Sequence, residues 1–425
     1  MTTHRVRRGA AIALAVLLAT CSPADRPDEA GQSPSLASLA LYVNPRDYDF
    51  SANPALLGRI LSDPHGYFRF INIPFSQRVC GIFADRMAGL SSERARSFEL
   101  NLHGDAHVEQ YAVTDLGRGL TDFDDASQGP PFLDLMRFAV SLRLASRLNG
   151  WDAGTEEELV RTFLDGYRSA LADPGDRAPE PAVAARLRSM FSRDTAAYLA
   201  WVDAQMGALP PEEERNVRGA LASFAVVMAE EHDGIDPSYF TPVGLGSLDL
   251  GVGSALDTKY LVRLRGSTDD PRDDDVLEIK RVRDLAGIDC IRTKDDDPFR
   301  VLLSQARVSY EPFRWLGYVR IGEANFWTHG WVQNYAEMDV DQTFRTPDEL
   351  AEVAYDAGIQ LGVGHPKLAA APFGQALRRQ TIEHLDAYPG EIERVSRDLA
   401  AEVLEAWSRF VAEVQSAGTA GPGGS

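Results

Sequence analysis

Basic side chains are scarce in this chain of 425 residues. There are 43 Lys and Arg against 63 Asp and Glu, a formal net charge of −20. Nucleic acid and anionic membrane surfaces are both bound through a basic face, so the balance argues against either as a partner. Cysteine is limited to Cys21, Cys80 and Cys290. Cys80 and Cys290 could pair in an oxidising compartment, or remain two buried thiols, and their spacing alone does not decide. Long apolar runs are missing except for residues 9–20, too few for a comfortable membrane span. There is no internal repeat. What remains is globular in character, with 44% hydrophobic and 25% charged residues. The length suffices for one large or two modest domains.

The apolar run follows Arg5, Arg7 and Arg8, as in a secretory leader. It ends Leu18-Ala19-Thr20-Cys21, which resembles a bacterial lipoprotein box with Cys21 as the lipidated residue. Residues 22–38, rich in Pro, Ser, Asp and Ala, read as a flexible tether. An exported protein is therefore expected, periplasmic or held at the membrane through a lipid on Cys21 alone.

Asn44-Pro45 and Asn53-Pro54 suggest turns. Residues 67–87 are dense in aromatic and aliphatic side chains and read as core. Residues 97–102 look like a strand, and residues 120–123 like a second short one, the two forming a hairpin-like pair. Helical spacing runs over 132–149, 183–206 and 211–231. Thr155-Glu156-Glu157-Glu158 has the capping-box pattern, so a helix should follow to about Ala172. From about Tyr239 the character changes. Residues 243–254 are glycine-rich, 258–264 and 276–280 alternate as strands, 300–310 reads as a helix, and 315–331 is aromatic and strand-like. Thr346-Pro347-Asp348-Glu349 is a helix start running to about Gly364. A last helix spans about 389–415. The expected class is α+β. The expected organisation is a leader (1–20), a tether (21–38), a helical lobe (39–238), a small β-rich lobe (239–335), helices packing on the large lobe (336–417) and a frayed tail (418–425).

One stretch concentrates chemistry: His103-Gly104-Asp105-Ala106-His107-Val108-Glu109-Gln110, followed by Asp122-Phe123-Asp124-Asp125. A carboxylate on a loop after a strand, backed by His and Gly, can accept a proton from a hydroxyl. Asp105 has that setting. A carboxylate at a strand end can hold Mg²⁺, which takes oxygen ligands and bridges phosphates. Asp122 has that setting, with Asp124 as a spare. The turn Gly251-Val252-Gly253-Ser254 could bring backbone N–H groups to phosphate. Lys280, on the next strand but one, could pair with phosphate oxygens.

These stretches, with Gly129-Pro130 and Asp134-Leu135-Met136-Arg137, resemble an uncharacterised bacterial family catalogued as domain of unknown function 2252. That family is similar to the protein-kinase-like and aminoglycoside-phosphotransferase-like folds. The resemblance extends from about Phe68 to the last long helix. It implies a circularly permuted kinase-like fold, because the glycine loop and Lys280 follow the catalytic loop. It implies Asp105 as catalytic base with His103 bracing its loop. Asp122 would be the principal Mg²⁺ ligand, with Gln110 and Asp124 beside it. Lys280 would hold the phosphates of an ATP-like nucleotide beneath Gly251, Gly253 and Ser254, and Asp134 would anchor the loop. The acceptor, a small molecule or a protein, is not specified. Gln110 stands where the family has Asn, keeping the amide oxygen but adding a methylene.

Two other functions compete. His103, Asp105 and His107 alternate, so an extended backbone would place all three on one face for a transition metal. With Asp122, that set would suit a metal-dependent phosphoester hydrolase. A non-catalytic, pseudokinase-like binding module at the cell envelope is the third. Gln110 and an ATP-poor compartment both favour it.

Overall fold

Asparagine and aspartate set the entry to the chain's first helices. The computed structural model describes residues 40–51, 53–88, 99–248, 257–367 and 373–419. The leader, Cys21, the tether, and Gly251, Gly253 and Ser254 lie outside the described residues. Three helices open the fold: α1 (Pro54–Ser62), α2 (Pro64–Phe70) and α3 (Asn72–Ala88). The side chain of Asn53 accepts from Leu56 N, and that of Asp63 from Gly66 N. Proline occupies the first helical turn in both cases. The Asn-Pro step at 53–54, expected as a turn, is thus a cap followed by a helix start.

Four short strands follow: β1 (Leu100–Leu102), β2 (Tyr111–Thr114), β3 (Arg118–Leu120) and β4 (Ser127–Gly129). Here the expected hairpin is corrected. β1 pairs antiparallel with β4, Asn101 opposite Gln128. Of residues 120–123 only Leu120 is in a strand, and β3 pairs with β2.

Then come α4 (Phe132–Leu148), α5 (Ala153–Ala172), α6 (Ala182–Arg188), α7 (Thr195–Gln205) and α8 (Pro211–Glu231). The first fifteen residues of α4 are all buried, so its apolar stripe understates its burial. The cap of α5 is Asp152, whose side chain accepts from Thr155 N, and not Thr155 itself. The helix expected over 183–206 is interrupted, with α6 ending at Arg188 and α7 starting at Thr195.

The β-rich region contains β5 (Pro242–Ser247), β6 (Lys259–Leu264) and β7 (Asp275–Arg281), then α9 (Pro298–Val308), then β8 (Gly317–Ile321) and β9 (Ala324–Gly330). They form one antiparallel sheet of order β5-β6-β7-β9-β8. The two faces of the sheet follow the strand period of two. Tyr260, Val262, Leu277 and Ile279 pack with Val217, Leu221 and Phe224 of α8. Leu261 and Val276 pack with Leu199 and Val202 of α7. Both helices were expected in the helical lobe, and both pack on the sheet. Lys259, Glu278 and Lys280 share the α7 face by the same alternation.

β10 (Tyr335–Glu337) leaves the large sheet and pairs with β2. The chain closes with α10 (Pro347–Gly364), α11 (Phe373–Ala387) and α12 (Glu391–Thr419). Thr346 caps α10 as expected. Its glycines permit close contact with α5: a Cβ at Gly358 would lie 2.2 Å from Phe163 O. α11 was not anticipated. Cys80 of α3 is bonded to Cys290, on the connection between β7 and α9.

Candidate functional site

The loop after β1 is held by backbone contacts that only glycine allows. Gly104 has φ +84°, and a Cβ there would lie 1.8 Å from Asp125 O. The His103–His107 segment therefore lies directly on the Asp122–Asp125 segment. Asp134, in the first turn of α4, accepts from His103 N at 2.7 Å and Gly104 N at 2.8 Å. His365, the C-cap of α10, donates from Nε2 to Asp134 at 3.0 Å. Its Nδ1 accepts from Tyr167 Oη at 2.9 Å. His365 is thus tied to the anchor of the loop.

His103 braces the loop. Its Nε2 donates to Thr121 O at 2.8 Å, and its Nδ1 accepts from Asp105 N at 3.3 Å. Both ring nitrogens are committed to the protein. Asp105 Oδ1 accepts from Arg137 Nε at 2.7 Å. Arg137 also donates to Phe68 O and Arg69 O, and its guanidinium lies 3.7 Å from the Phe68 ring centroid. Burial pushes the Asp105 carboxyl up, but Arg137 and His107 outweigh it and hold it well below the usual range. His107 is buried 3.6 Å from Asp105 Oδ2, beyond hydrogen-bond reach, and burial lowers its pKa to about 4. Among the described residues there is no group of three or more His, Cys, Asp and Glu arranged to hold a metal.

The second half of the site joins the loop segment to the sheet. Asp122 adopts φ 59°, which turns the chain sharply after β3. Lys280 Nζ lies 2.6 Å from Asp122 Oδ1 and 2.6 Å from Asp124 Oδ2. Gln110 Nε2 lies 3.4 Å from Asp122 Oδ2. Four residues named from the sequence, Gln110, Asp122, Asp124 and Lys280, are therefore brought together. Trp327 Nε1 donates to Asp124 Oδ1 at 2.8 Å. Asp125 is engaged separately, by Arg283 at 3.0 Å and Asn72 at 2.7 Å. Arg300 of α9 donates to Asp124 O and Ala126 O, fixing the backbone of the turn.

The acids and Lys280 shift one another. Burial raises Asp122, but Lys280 draws it well below the ordinary value. Asp124 is raised, by burial and by the charge on Asp122. Burial lowers Lys280, but Asp122 and Asp124 together drive it well above its ordinary value. The sharing of one ammonium between two carboxylates explains the split, since the two acids cannot both ionise cheaply side by side.

Asp122 and Lys280 open on a cavity of about 310 Å³, whose wall does not include Asp124 or Gln110. Asp122, Lys259, Glu278, Lys280 and Gln305 supply its polar wall, and Tyr198, Trp201, Trp327 and Trp331 supply aromatic surface. Glu278 accepts from Trp331 Nε1 at 2.7 Å and lies 3.1 Å from His329 Nε2. Asp105 does not line this cavity. Lys259, Glu278, Gln305 and the tryptophans were missed from the sequence. The alternation of 276–280 held the signal for Glu278, two residues from Lys280 on one strand; Lys259 joins that face only through the register that sets it opposite Lys280. Glu311 lies by Gly117 in a different cavity.

The family described as an uncharacterized protein conserved in bacteria, DUF2252, matches residues 52–231. The match supports the family expected from the sequence. It covers the His103–Gln110 loop, Asp122 and α4, and stops before the sheet that carries Lys280. No curated protein and no solved structure is similar enough to match the chain.

Proposed function

We propose that this protein is a kinase-like phosphotransferase that uses a magnesium-bound nucleotide on an acceptor yet to be identified. The observation that carries this reading is the meeting of Lys280 with Asp122, 2.6 Å apart across 158 residues of sequence, on the wall of a 310 Å³ cavity. In phosphoryl transfer by kinases a lysine on the third strand of the small sheet holds phosphates, and an aspartate after the catalytic loop holds the metal. Lys280 is on the third strand of its sheet, after a hairpin whose connection carries Gly251, Gly253 and Ser254. A helix, α9, follows before the fourth strand. We read the order of the two halves as that of a circularly permuted kinase-like chain.

The residues present suit Mg²⁺. That ion takes one or two carboxylates and completes its shell with water and substrate phosphate. Asp122 and Asp124 are the carboxylates. Gln110, whose side-chain amide lies 3.4 Å from Asp122 Oδ2, would add its oxygen after a half-turn of the amide. When bound, the ion would neutralise charge on the transferring phosphoryl group. Lys280 holds the phosphate oxygens. Asp105, held acid by Arg137, has little proton affinity and does not line the cavity, so this reading gives it the holding of the loop and no contact with the acceptor. Phosphoryl transfer through a loose transition state asks mainly for positioning. The Cys80–Cys290 bond supports an exported protein, since such bonds persist in oxidising compartments.

The binding-module reading has one observation in its favour: the Asp105 carboxylate is committed to Arg137 and lies away from the cavity. Thermal unfolding with millimolar ATP and Mg²⁺ tests both. A rise that needs Mg²⁺ and is lost in Asp122→Ala supports the nucleotide site. No rise with any nucleotide refutes it. A rise without phosphate transfer to water or to any acceptor selects the binding module.

A further inference from the structure

A second cavity, of about 440 Å³, lies where β3, the end of α9 and the end of α10 meet. It shares no lining residue with the cavity at Lys280. The chain carries a net charge of −20, yet this wall is basic: Arg118, Arg177, Arg307 and Lys367 against Asp356 and Glu311. Arg118 and Asp356 cancel. Arg118 Nε donates to Asp356 Oδ2 at 2.7 Å, and the hydroxyls of Tyr111 and Tyr310 donate to the same carboxylate. The other three cations touch neutral oxygens. Arg307 donates to Asn101 Oδ1 at 2.8 Å, Arg177 to the carbonyls of Pro174 and Asp176, and Lys367 Nζ lies 3.5 Å from Ala306 O. Among the described residues no ion pair reaches any of the three.

Arg307 is the built part of the site. Its Nε is buried and has no hydrogen-bond partner. Burial lowers its pKa, and no acid offsets that shift. An arginine kept only for structure would gain from a carboxylate, as Arg118 does. Buried Asn101 sets its position: Oδ1 accepts from Arg307, and Nδ2 donates to Lys367 O at 2.9 Å. One amide thus brings the guanidinium and the backbone of Lys367 together. Arg118 does the same beside Arg177, donating from Nη2 to Ala178 O at 2.9 Å. A buried N–H left open in a cavity wall marks a place where an acceptor completes the bonding. Carboxylate and phosphate oxygens are the acceptors that a guanidinium matches best.

We propose that this cavity binds a small organic dianion, with Arg307 as its central ligand and the exposed Arg177 and Lys367 at its rim. Three cations less the charge of Glu311 leave two positive charges to match. The shared chemistry is that of a dicarboxylate or a phosphate monoester. The acidity of the rest of the chain disfavours a polyanion. The site is independent of the phosphotransferase reading.

The test is thermal titration of the full chain at fixed ionic strength with acetate, succinate and glycerol phosphate. At about pH 8 the last two are doubly charged. One of them or both should raise the melting temperature, and acetate should not. Arg307→Gln should weaken that binding about tenfold. Lys367→Gln should weaken it about two- to fivefold without changing the anion-free melting temperature. Glu311→Gln should tighten it by a similar factor, because it removes a like charge from the wall. If Arg307→Gln does not fold, the opposite signs of the two rim variants decide. Unchanged affinity in the rim variants and in a folded Arg307→Gln overturns the proposal. So does an equal rise with acetate, which is screening of surface charge, and so does no rise with either dianion. A response lost in Lys280→Gln but kept in Arg307→Gln also overturns it, and moves the anion to the first cavity. A response to succinate alone or to glycerol phosphate alone supports the site and names its anion.

Discussion

Arg137 donates from Nε to Asp105 Oδ1 at 2.7 Å, and both side chains are buried. Arg137 is on α4, and its other donors reach the backbone of Phe68 and Arg69 at the end of α2. One guanidinium therefore fixes the loop after β1 to two helices. Removing either partner strands a charge in the core. Arg137→Met is expected to lower the unfolding free energy by about 3–5 kcal/mol. The double variant Arg137→Met with Asp105→Asn should be more stable than Arg137→Met alone, because it removes the uncompensated carboxylate. Urea denaturation of the wild type, Arg137→Met, Asp105→Asn and the double variant checks this. Simple addition of the single effects would show that the pair is not coupled.

His107 makes the fold sensitive to acid. Neither ring nitrogen has a hydrogen-bond partner, and burial lowers its pKa from 6.5 to about 4. Asp105 opposes the shift, while Arg69 and His65 add to it. Between those two values the unfolded chain carries a proton at this position and the folded chain does not. Stability is therefore fully present above about 6.5 and falls as the pH drops toward 4. The span corresponds to about 3 kcal/mol. Asp105 and Glu109, both held below their ordinary values, extend the loss to lower pH. Asp124, whose carboxyl is raised, acts in the opposite direction over the same range, so the His107 contribution is read as a difference between two proteins. The melting temperature of His107→Gln relative to wild type should climb as the pH falls from 6.5 to 4, and a constant difference would show that His107 contributes nothing to the acid response.

Helices with local punctuation were legible in the sequence. α8 and α10 begin at Pro211 and Pro347, and α10 ends at Gly364, where expected. The three-residue strands were legible only in part. β1 falls inside the strand expected over 97–102, but β4 is too short for a periodic pattern, and the pairing of the two is decided by distant packing. The glycines of β5 misled for a different reason. Gly244 and Gly246 are strand residues without side chains because Met206 and Gly207 press against them; a Cβ at Gly246 would lie 2.6 Å from Gly207 O. In the site, Asp122 and Lys280 were legible because each follows a recognisable pattern. Lys259 was not, because one lysine in an alternating strand looks the same whether it faces solvent or a cavity.

Gly104 should tolerate no side chain. Its φ of +84° already disfavours any L-residue, and an added Cβ would meet Asp125 O at 1.8 Å. That oxygen is backbone, so no side-chain rotation relieves the clash. Gly104→Ala is expected to cost about 3 kcal/mol or more. The damage should include the contact between the loop and the Asp122–Asp125 turn, so any Mg-nucleotide response should weaken with it. Gly150 supplies the control. It also has positive φ, 70°, but a Cβ there meets nothing within 4 Å. Gly150→Ala should cost only about 1 kcal/mol, the conformational part. Equal losses in the two variants would show that the contact at Asp125 is unimportant.

The Cys80–Cys290 bond closes 210 residues of sequence and has a Cα–Cα distance of 5.5 Å. It joins α3, beneath the loop after β1, to the connection that leaves β7 ten residues beyond Lys280. Near it, Gln77 donates from Nε2 to Asp289 and accepts from Asp289 N, so the strap is reinforced on the Cys290 side. Reduction frees the unfolded chain to sample far more conformations, and it loosens the connection that also carries Arg283. The expected loss is about 2–5 kcal/mol. Cys80→Ser and Cys290→Ser should each show the melting temperature of the reduced wild type, and neither should respond further to reductant. A wild-type melting curve that reductant leaves unchanged, with both thiols then open to alkylation, would show that the two packed segments hold together without the bond.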